Sequence, residues 1–189
     1  FAEKTDFLID SGLTGIVGPN GCGKSNIVES LRWCMGETSA KSMRGSGMED
    51  VIFSGTSNKP SKNIAEVLIA LGNENKEGPH QYKNLEYIEI KRKIEKDKGS
   101  KFYINHKEVR AKDAQMFFAD LSTGAHSPSI ISQGRIGSLV TAKPTDRRAI
   151  LEEAAGISGL HVRRHEAELR LSAAENNLKR ADELRRQQE

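Results

Sequence analysis

Apolar and polar positions along the 189 residues change period several times, and each change marks an element. The first 36 residues read strand, turn, strand, loop, helix. Extended apolar stretches over 5–9 and 13–17 flank Asp10-Ser11-Gly12, which supplies turn chemistry. A glycine-rich loop follows, and then Ile27, Val28, Leu31 and Met35 recur at helical spacing, with Gly36 placed to cap the helix. Residues 37–62 are polar and rich in Ser, Gly and Lys, broken only by Val51-Ile52-Phe53. A connection this long is functional or disordered. The pattern then turns to strands. Residues 64–71 are nearly all apolar, Ile88, Ile90 and Ile94 alternate with charges, and Lys98-Gly99-Ser100 turns into Phe102-Tyr103-Ile104: a meander with one wet face.

Further on, Ala114, Phe117, Phe118 and Leu121 share one helical face, Ile130-Ile131 reads as a short strand or strand end, and Pro144 sits where helices favour a first residue. From Ile157 a 3-4 spacing takes over. Positions 157, 160, 164, 167, 171, 174, 178, 181 and 185 hold Ile, Leu, Arg, Ala, Leu, Ala, Leu, Ala and Arg, the pattern of a coiled-coil strand; a long surface helix is the plainer alternative. The pattern is still running at Glu189, and the chain begins at Phe1 without a methionine, so a fragment is expected.

Composition narrows the class. Hydrophobic residues are 36% and aromatics only 5%, enough for a core beneath a charged surface. No apolar run approaches a membrane span, no signal peptide opens the chain, and two cysteines cannot build a disulfide scaffold, so no membrane partner and a cytoplasmic location are expected.

The loop is the strongest chemical signal. Gly18-Pro19-Asn20-Gly21-Cys22-Gly23-Lys24-Ser25 satisfies G-x-x-x-x-G-K-[ST] in full. Glycines let backbone N–H groups approach phosphate oxygens, Lys24 bridges the β- and γ-phosphates, and Ser25 ligates Mg²⁺. Strand before and helix after give the motif its proper setting. Hydrolysis also needs a strand-end Asp for Mg²⁺ and a group to position water. Asp10 lies in turn sequence and Asp120 ends a helical pattern, and neither has an adjacent Glu. The chain reads as able to hold a nucleotide and unable to finish the reaction alone.

Four segments, GIVGPNGCGKSNIVESLRWCMGE (15–37), SMRGSGMEDVIFSGT (42–56), SPSIISQGRI (127–136) and RRAILEEAAGISGL (147–160), resemble the N-terminal head half of bacterial SMC (structural maintenance of chromosomes) chromosome-partition proteins. The resemblance implies an α/β fold: a P-loop NTPase, ABC-type head half with a mixed sheet, an antiparallel meander and helices, followed by the start of a long coiled coil. It places the head lobe at 1–155 and the arm at 156–189. It implies ATP and Mg²⁺ as cofactors, bound through Gly18 to Ser25 with Asn26 adjoining. Gln133 matches the glutamine that contacts metal and water, and Arg44 matches an arginine that reaches the phosphates, so Lys24, Gln133 and Arg44 form the catalytic set and Ser25 and Gln133 the metal set. Lys4 matches a basic position near the nucleotide. The signature motif, Mg-binding Asp and catalytic Glu would come from a C-terminal half-head. A second head (a homodimer sandwiching ATP), kleisin-type accessory subunits, non-sequence-specific DNA and a nucleoid location follow as expected partners and setting. The expected role is chromosome condensation and segregation by entrapping or extruding DNA.

Charge adds to this. Residues 83–112 carry ten Lys/Arg against five acids, a surplus larger than the net +3 of the whole chain. A basic meander suits phosphate-backbone binding, and no recognition helix or zinc spacing points to sequence-specific readout. Lys96, Lys98 and Lys101 are the candidate DNA contacts; a solvated sheet face is the alternative. Rival functions are a RecN- or RecF-like repair ATPase, a self-contained P-loop kinase or GTPase, and a non-catalytic binding module. The entry of RRAILEEAAGISG into the coil disfavours the first, and the absence of an Asn-Lys-x-Asp motif and of a credible Mg-binding Asp disfavours the second.

Overall fold

Four consecutive strands form a single antiparallel sheet in the order β1 (Ile64–Gly72), β2 (Tyr87–Glu95), β3 (Gly99–Ile104) and β4 (Lys107–Val109), the meander that the alternation predicts. The computed structural model describes all residues other than 41, 42, 44, 77, 122, 125, 126, 128, 129, 132–136, 138, 139, 156 and 189. Helix α1 (Lys24–Cys34) precedes the sheet, and α2 (Ala111–Asp120), α3 (Pro144–Ala154) and α4 (Ser158–Gln188) follow it.

Register explains which strand residues become core. β2 turns Ile88, Ile90, Arg92 and Ile94 to the buried face, and Glu89, Lys91, Lys93 and Glu95 to the other. Arg92 lies opposite Val67 on β1 and Phe102 on β3, so the inward row continues across the sheet. α1 and α2 cover that face. Cys34, Ile88, Ile90, Ile104, Phe117 and Phe118 form one cluster, and Trp33, Ile52 and Ile94 a second. Phe117 meets Tyr82 edge-on at 5.6 Å and Phe118 at 5.4 Å. Burying each such side chain contributes about 1.5–3 kcal/mol.

The helix ends obey local chemistry. At the end of α1, Gly36 adopts φ +105, the Gly36 N–H donates to the Trp33 carbonyl and the Glu37 N–H to the Arg32 carbonyl. This is a Schellman closure, and its left-handed position favours glycine. A side chain on Gly36 would also meet Gln115, whose amide already donates to the Gly36 carbonyl at 2.8 Å. α2 begins where the Asp113 carboxylate accepts from the Arg110 N–H, and it buries Ala114, Phe117 and Phe118 as the helical spacing predicts. Pro144 is the first residue of α3, also as predicted.

Two strand expectations are corrected. Residues 5–9 and 13–17 have strand patterning yet pair with nothing among the described residues: Leu8 is 83%, Leu13 100% and Val17 94% exposed. An isolated apolar stretch lacks the neighbouring N–H and C=O groups that make a ladder, and no described strand lies beside these two. Ile130 and Ile131 likewise form no strand, and Ile131 is exposed. α4 runs 31 residues and holds eight of the nine 3-4 positions; these eight, and Ile157 just before the helix, are all exposed. Arg163 near its start forms an ion pair with Asp120 at the end of α2.

Candidate functional site

The phosphate loop leads into α1 without a side-chain cap, because the capping residue is Gly23, which has no side chain and adopts φ +90. Gly21 adopts φ +81, and these two left-handed positions are what wrap the loop tightly enough to enter the helix. A Cβ on Gly18 would stand 2.9 Å from the Cys22 sulfur, so the loop's two sides are in close approach. Lys24 folds back across it. Its ammonium donates to the Gly18 and Pro19 carbonyls, each at 2.6 Å, and lies 3.8 Å from Cys22 Sγ. Loop backbone, helix start and ammonium therefore converge, as a site for a phosphate chain requires. Ser25 and Asn26 are exposed at the first turn, whose first residues include no acid to repel an anion.

The other predicted nucleotide residues are placed less closely. Lys4 forms an exposed ion pair with Asp6 at 3.3 Å, and the described contacts do not bring it to the loop. Arg44 and Gln133 lie outside the described residues. Phe1, by contrast, reaches within 3.7 Å of the position a Cβ on Gly23 would take, and stacks edge-on against Phe7. Among the described residues no group of three or more His, Cys, Asp or Glu could hold a metal by itself, so the metal expectation rests on Ser25.

At the far end of α1 is a set of charges that the sequence pattern does not flag as a site. Arg32 donates to the Glu37 carboxylate at 2.8 Å, both buried, and the second Glu37 oxygen accepts from the Ser39 N–H. Arg92, 3% exposed, donates through Nη1 to the Trp33 and Glu37 carbonyls at 2.7 Å each and through Nε to Ser100 Oγ at 2.8 Å. Its plane lies between the rings of Trp33 at 4.5 Å and Phe102 at 4.7 Å. Burial pushes the guanidinium down to about 10, which leaves it charged at neutral pH. One signal was available: Arg92 is the single charged residue in the inward phase Ile88, Ile90, Ile94. The same finding corrects the charge count of the meander, since Arg92 belongs to the core and not to a basic surface.

The remaining meander charges are interleaved with acids. Lys98 pairs with Glu95 at 2.7 Å and Lys101 with Glu108 at 3.1 Å, all at least partly exposed; the Lys98 ammonium holds Glu95 below the usual carboxylate range, and Glu108 raises Lys101. Lys96 lies in the same turn, with its N–H on the Asn63 carbonyl at 2.9 Å. Lys96, Lys98 and Lys101 are thus together at one hairpin end, each on the solvent side. No helix among the described residues is long and apolar enough to cross a membrane.

A glycine-built phosphate loop opening a helix that packs on an antiparallel meander defines the N-terminal lobe of a P-loop head of the ABC type. The RecF/RecN/SMC N-terminal domain family matches residues 1–135, and the chain belongs to that family. It is 54% identical over 184 residues to the chromosome partition protein Smc of Rhodopseudomonas palustris and 56% identical over 184 residues to that of Cereibacter sphaeroides, in each case over 97% of this chain. The chain spans 16% of the length of these curated relatives. Among solved structures, an Smc head with an extended coiled coil from Pyrococcus furiosus, bound to the C-terminal domain of ScpA, matches with TM-score 0.67 and 30% identity over 88% of this chain and 41% of that one. Another, from work on ATP-driven dimerization and DNA-stimulated activation of SMC ATPases, matches with TM-score 0.64 and 31% identity over 77% of this chain and 86% of that one.

Proposed function

We propose that this chain is the N-terminal half-head of an SMC ATPase, with a head lobe over 1–155 and the start of a coiled-coil arm over 156–189. The observation that carries the reading is the phosphate loop flanked by apolar residues that nothing in the described chain covers, Leu8, Leu13 and Val17. A half-site of this kind suits completion by a C-terminal half-head that brings the signature motif, the Mg-binding Asp and the catalytic Glu.

ATP and Mg²⁺ suit the residues present. The two left-handed glycines give the loop its close curvature, and the Lys24 ammonium already lies across it, on the Gly18 and Pro19 carbonyls. In the proposed site the loop N–H groups between Gly18 and Gly23, of which Pro19 has none, orient the phosphates, Lys24 places positive charge against them, and Ser25 offers its hydroxyl to the metal. Mg²⁺ supplies charge neutralisation between the phosphates when bound. Arg44 and Gln133 are proposed to add phosphate contact and water positioning, and Lys4 and Asn26 to border the nucleotide. The function that follows is ATP-driven engagement of two heads in a homodimer, with kleisin-type subunits, acting on DNA in the nucleoid to condense and segregate chromosomes. Lys96, Lys98 and Lys101 are the proposed DNA contacts. The identity to Smc proteins favours this over a RecN- or RecF-like repair ATPase.

Mixing this chain with a C-terminal half-head tests it. ATP turnover should appear only in the mixture, and Lys24→Ala in this chain should weaken ATP binding by about a hundredfold, the loss of charge-assisted hydrogen bonds to phosphate. Turnover by the chain alone, or ATP binding indifferent to Lys24, would refute the half-site.

A further inference from the structure

The nucleotide chemistry leaves unused a buried charge in the core, Arg92. Arg92 sits in a row of isoleucines, where an aliphatic side chain would fill the same space without burying a charge. Together with its partners it joins three elements. Two of the partners are carbonyls at the C-terminal end of α1, Trp33 and Glu37, and the third is the hydroxyl of Ser100 on β3. Arg92 itself is on β2. A guanidinium is a rigid planar fork, so its three donors and two stacked faces cannot be adjusted independently. If the Ser100 hydroxyl shifts, the plane turns between Trp33 and Phe102, and the bonds to α1 move with it. The α1 side of this joint is firm. The buried Arg32–Glu37 pair and the Ser39 N–H fix Glu37, whose carbonyl Arg92 holds.

Ser100 also lies in the short stretch between Lys98 and Lys101, directly before Lys101. Those two lysines are bonded to Glu95 and Glu108. A DNA phosphate that takes either lysine must displace its carboxylate, and Glu95 faces Gly99 across the hairpin in the β2–β3 register. Contact at the hairpin end therefore changes the polar partners of the two lysines on either side of Ser100. From there α1 spans 11 residues back to Lys24 in the phosphate loop. Helices move as rigid rods, and small shifts at one end appear at the other.

We propose that Ser100 and Arg92 form a relay through which DNA at Lys98 and Lys101 repositions the phosphate-loop helix, so that Arg92 is a positioning residue for ATP turnover. This rests on the reading of the chain as an SMC half-head with a DNA-binding hairpin.

The test uses the full-length protein. Ser100→Ala removes the acceptor on β3 while sparing both lysines and both bonds to α1, and Ser100→Thr restores the hydroxyl. Arg92→Lys keeps the charge but not the fork. ATP turnover is measured with and without duplex DNA, DNA affinity by fluorescence anisotropy, and the fold by circular dichroism. Ser100→Ala is expected to keep unstimulated turnover and DNA affinity within about twofold, and to lose stimulation by DNA about fivefold or more, with Ser100→Thr recovering it and Arg92→Lys sharing the loss. Stimulation of Ser100→Ala equal to the parent's, at equal DNA affinity, overturns the relay. So does a fall in DNA affinity that matches the fall in stimulation, which would place Ser100 in binding itself. A parent that turns over ATP and binds DNA without stimulation overturns the relay and leaves the half-head reading standing; a parent that neither hydrolyses ATP nor binds DNA overturns both.

Discussion

Cys22 and Cys34 show how strongly position decides the chemistry of one residue type. Cys22 is exposed on the phosphate loop, and Cys34 is fully buried with its sulfur 3.6 Å from the Val67 and Ile90 carbonyls. Burial pushes the Cys34 thiol up to about 12, so the neutral form persists until the pH nears that value and reactivity rises only beyond ordinary buffers. At pH 8 its thiolate fraction is about a thousandfold below that of an unperturbed cysteine. A maleimide titration of the native chain at pH 8 should therefore modify one thiol promptly and the second only in denaturant, and Cys22→Ser should abolish the prompt phase. Two fast thiols in the native chain would mean that α1 does not stay packed on the sheet. Arg92 is only partly legible in the sequence. Its phase in β2 is readable, whereas the Trp33 and Glu37 carbonyls are backbone groups that no side-chain pattern announces. The Trp33 indole N–H, which has no hydrogen-bond partner among the described residues and is buried against that guanidinium, is equally invisible to periodicity.

Among the elements, periodicity alone recovers most of the order. The meander, the inward face of α2 and the start of α3 follow from spacing, because each strand has its partner next in sequence, α2 lies against the sheet, and Pro144 marks a helix start by its own chemistry. The stretches 5–9 and 13–17 fail for the complementary reason. Apolar alternation expresses a preference for a pleated surface and says nothing of which strand will lie alongside. α4 is a third case, a helix whose pattern is legible and whose stripe is exposed. Its seam positions are exposed, and a heptad seam is stabilised by a second helix. Replacing Leu171 and Leu178 together by Lys should thus change the unfolding free energy of the chain alone by less than about 0.5 kcal/mol, since neither is buried, while abolishing its association with a complementary coil segment. Urea unfolding followed by circular dichroism, beside sedimentation of the mixture, separates the two effects. A large loss of stability in the isolated chain would show that the stripe packs within it.

The molecule as a whole divides into a well-made centre and an uncovered front. α1, the meander and α2 hold the core, and the segment leading to the phosphate loop leaves Leu8, Leu13 and Val17 in water. Patches of this kind mark contact surfaces. The isolated chain should bind 8-anilinonaphthalene sulfonate, and addition of a C-terminal half-head should lower the dye's emission by about half or more as that surface is covered. Undiminished emission in a formed complex would put the contact elsewhere. Phosphate chemistry was legible as a motif because loop, Lys24 and Ser25 are contiguous in sequence; the covering surface was not, since its other half must come from residues outside the motif.

Trp33 is the chain's only tryptophan, and it stands where the phosphate-loop helix meets the sheet, 2% exposed and face to face with Arg92. An indole shielded from water and held against a cation has an emission colour and intensity set by that neighbour. The chain thus carries a native optical gauge at its central seam, one that registers any sliding of α1 over β2 without a label having been attached.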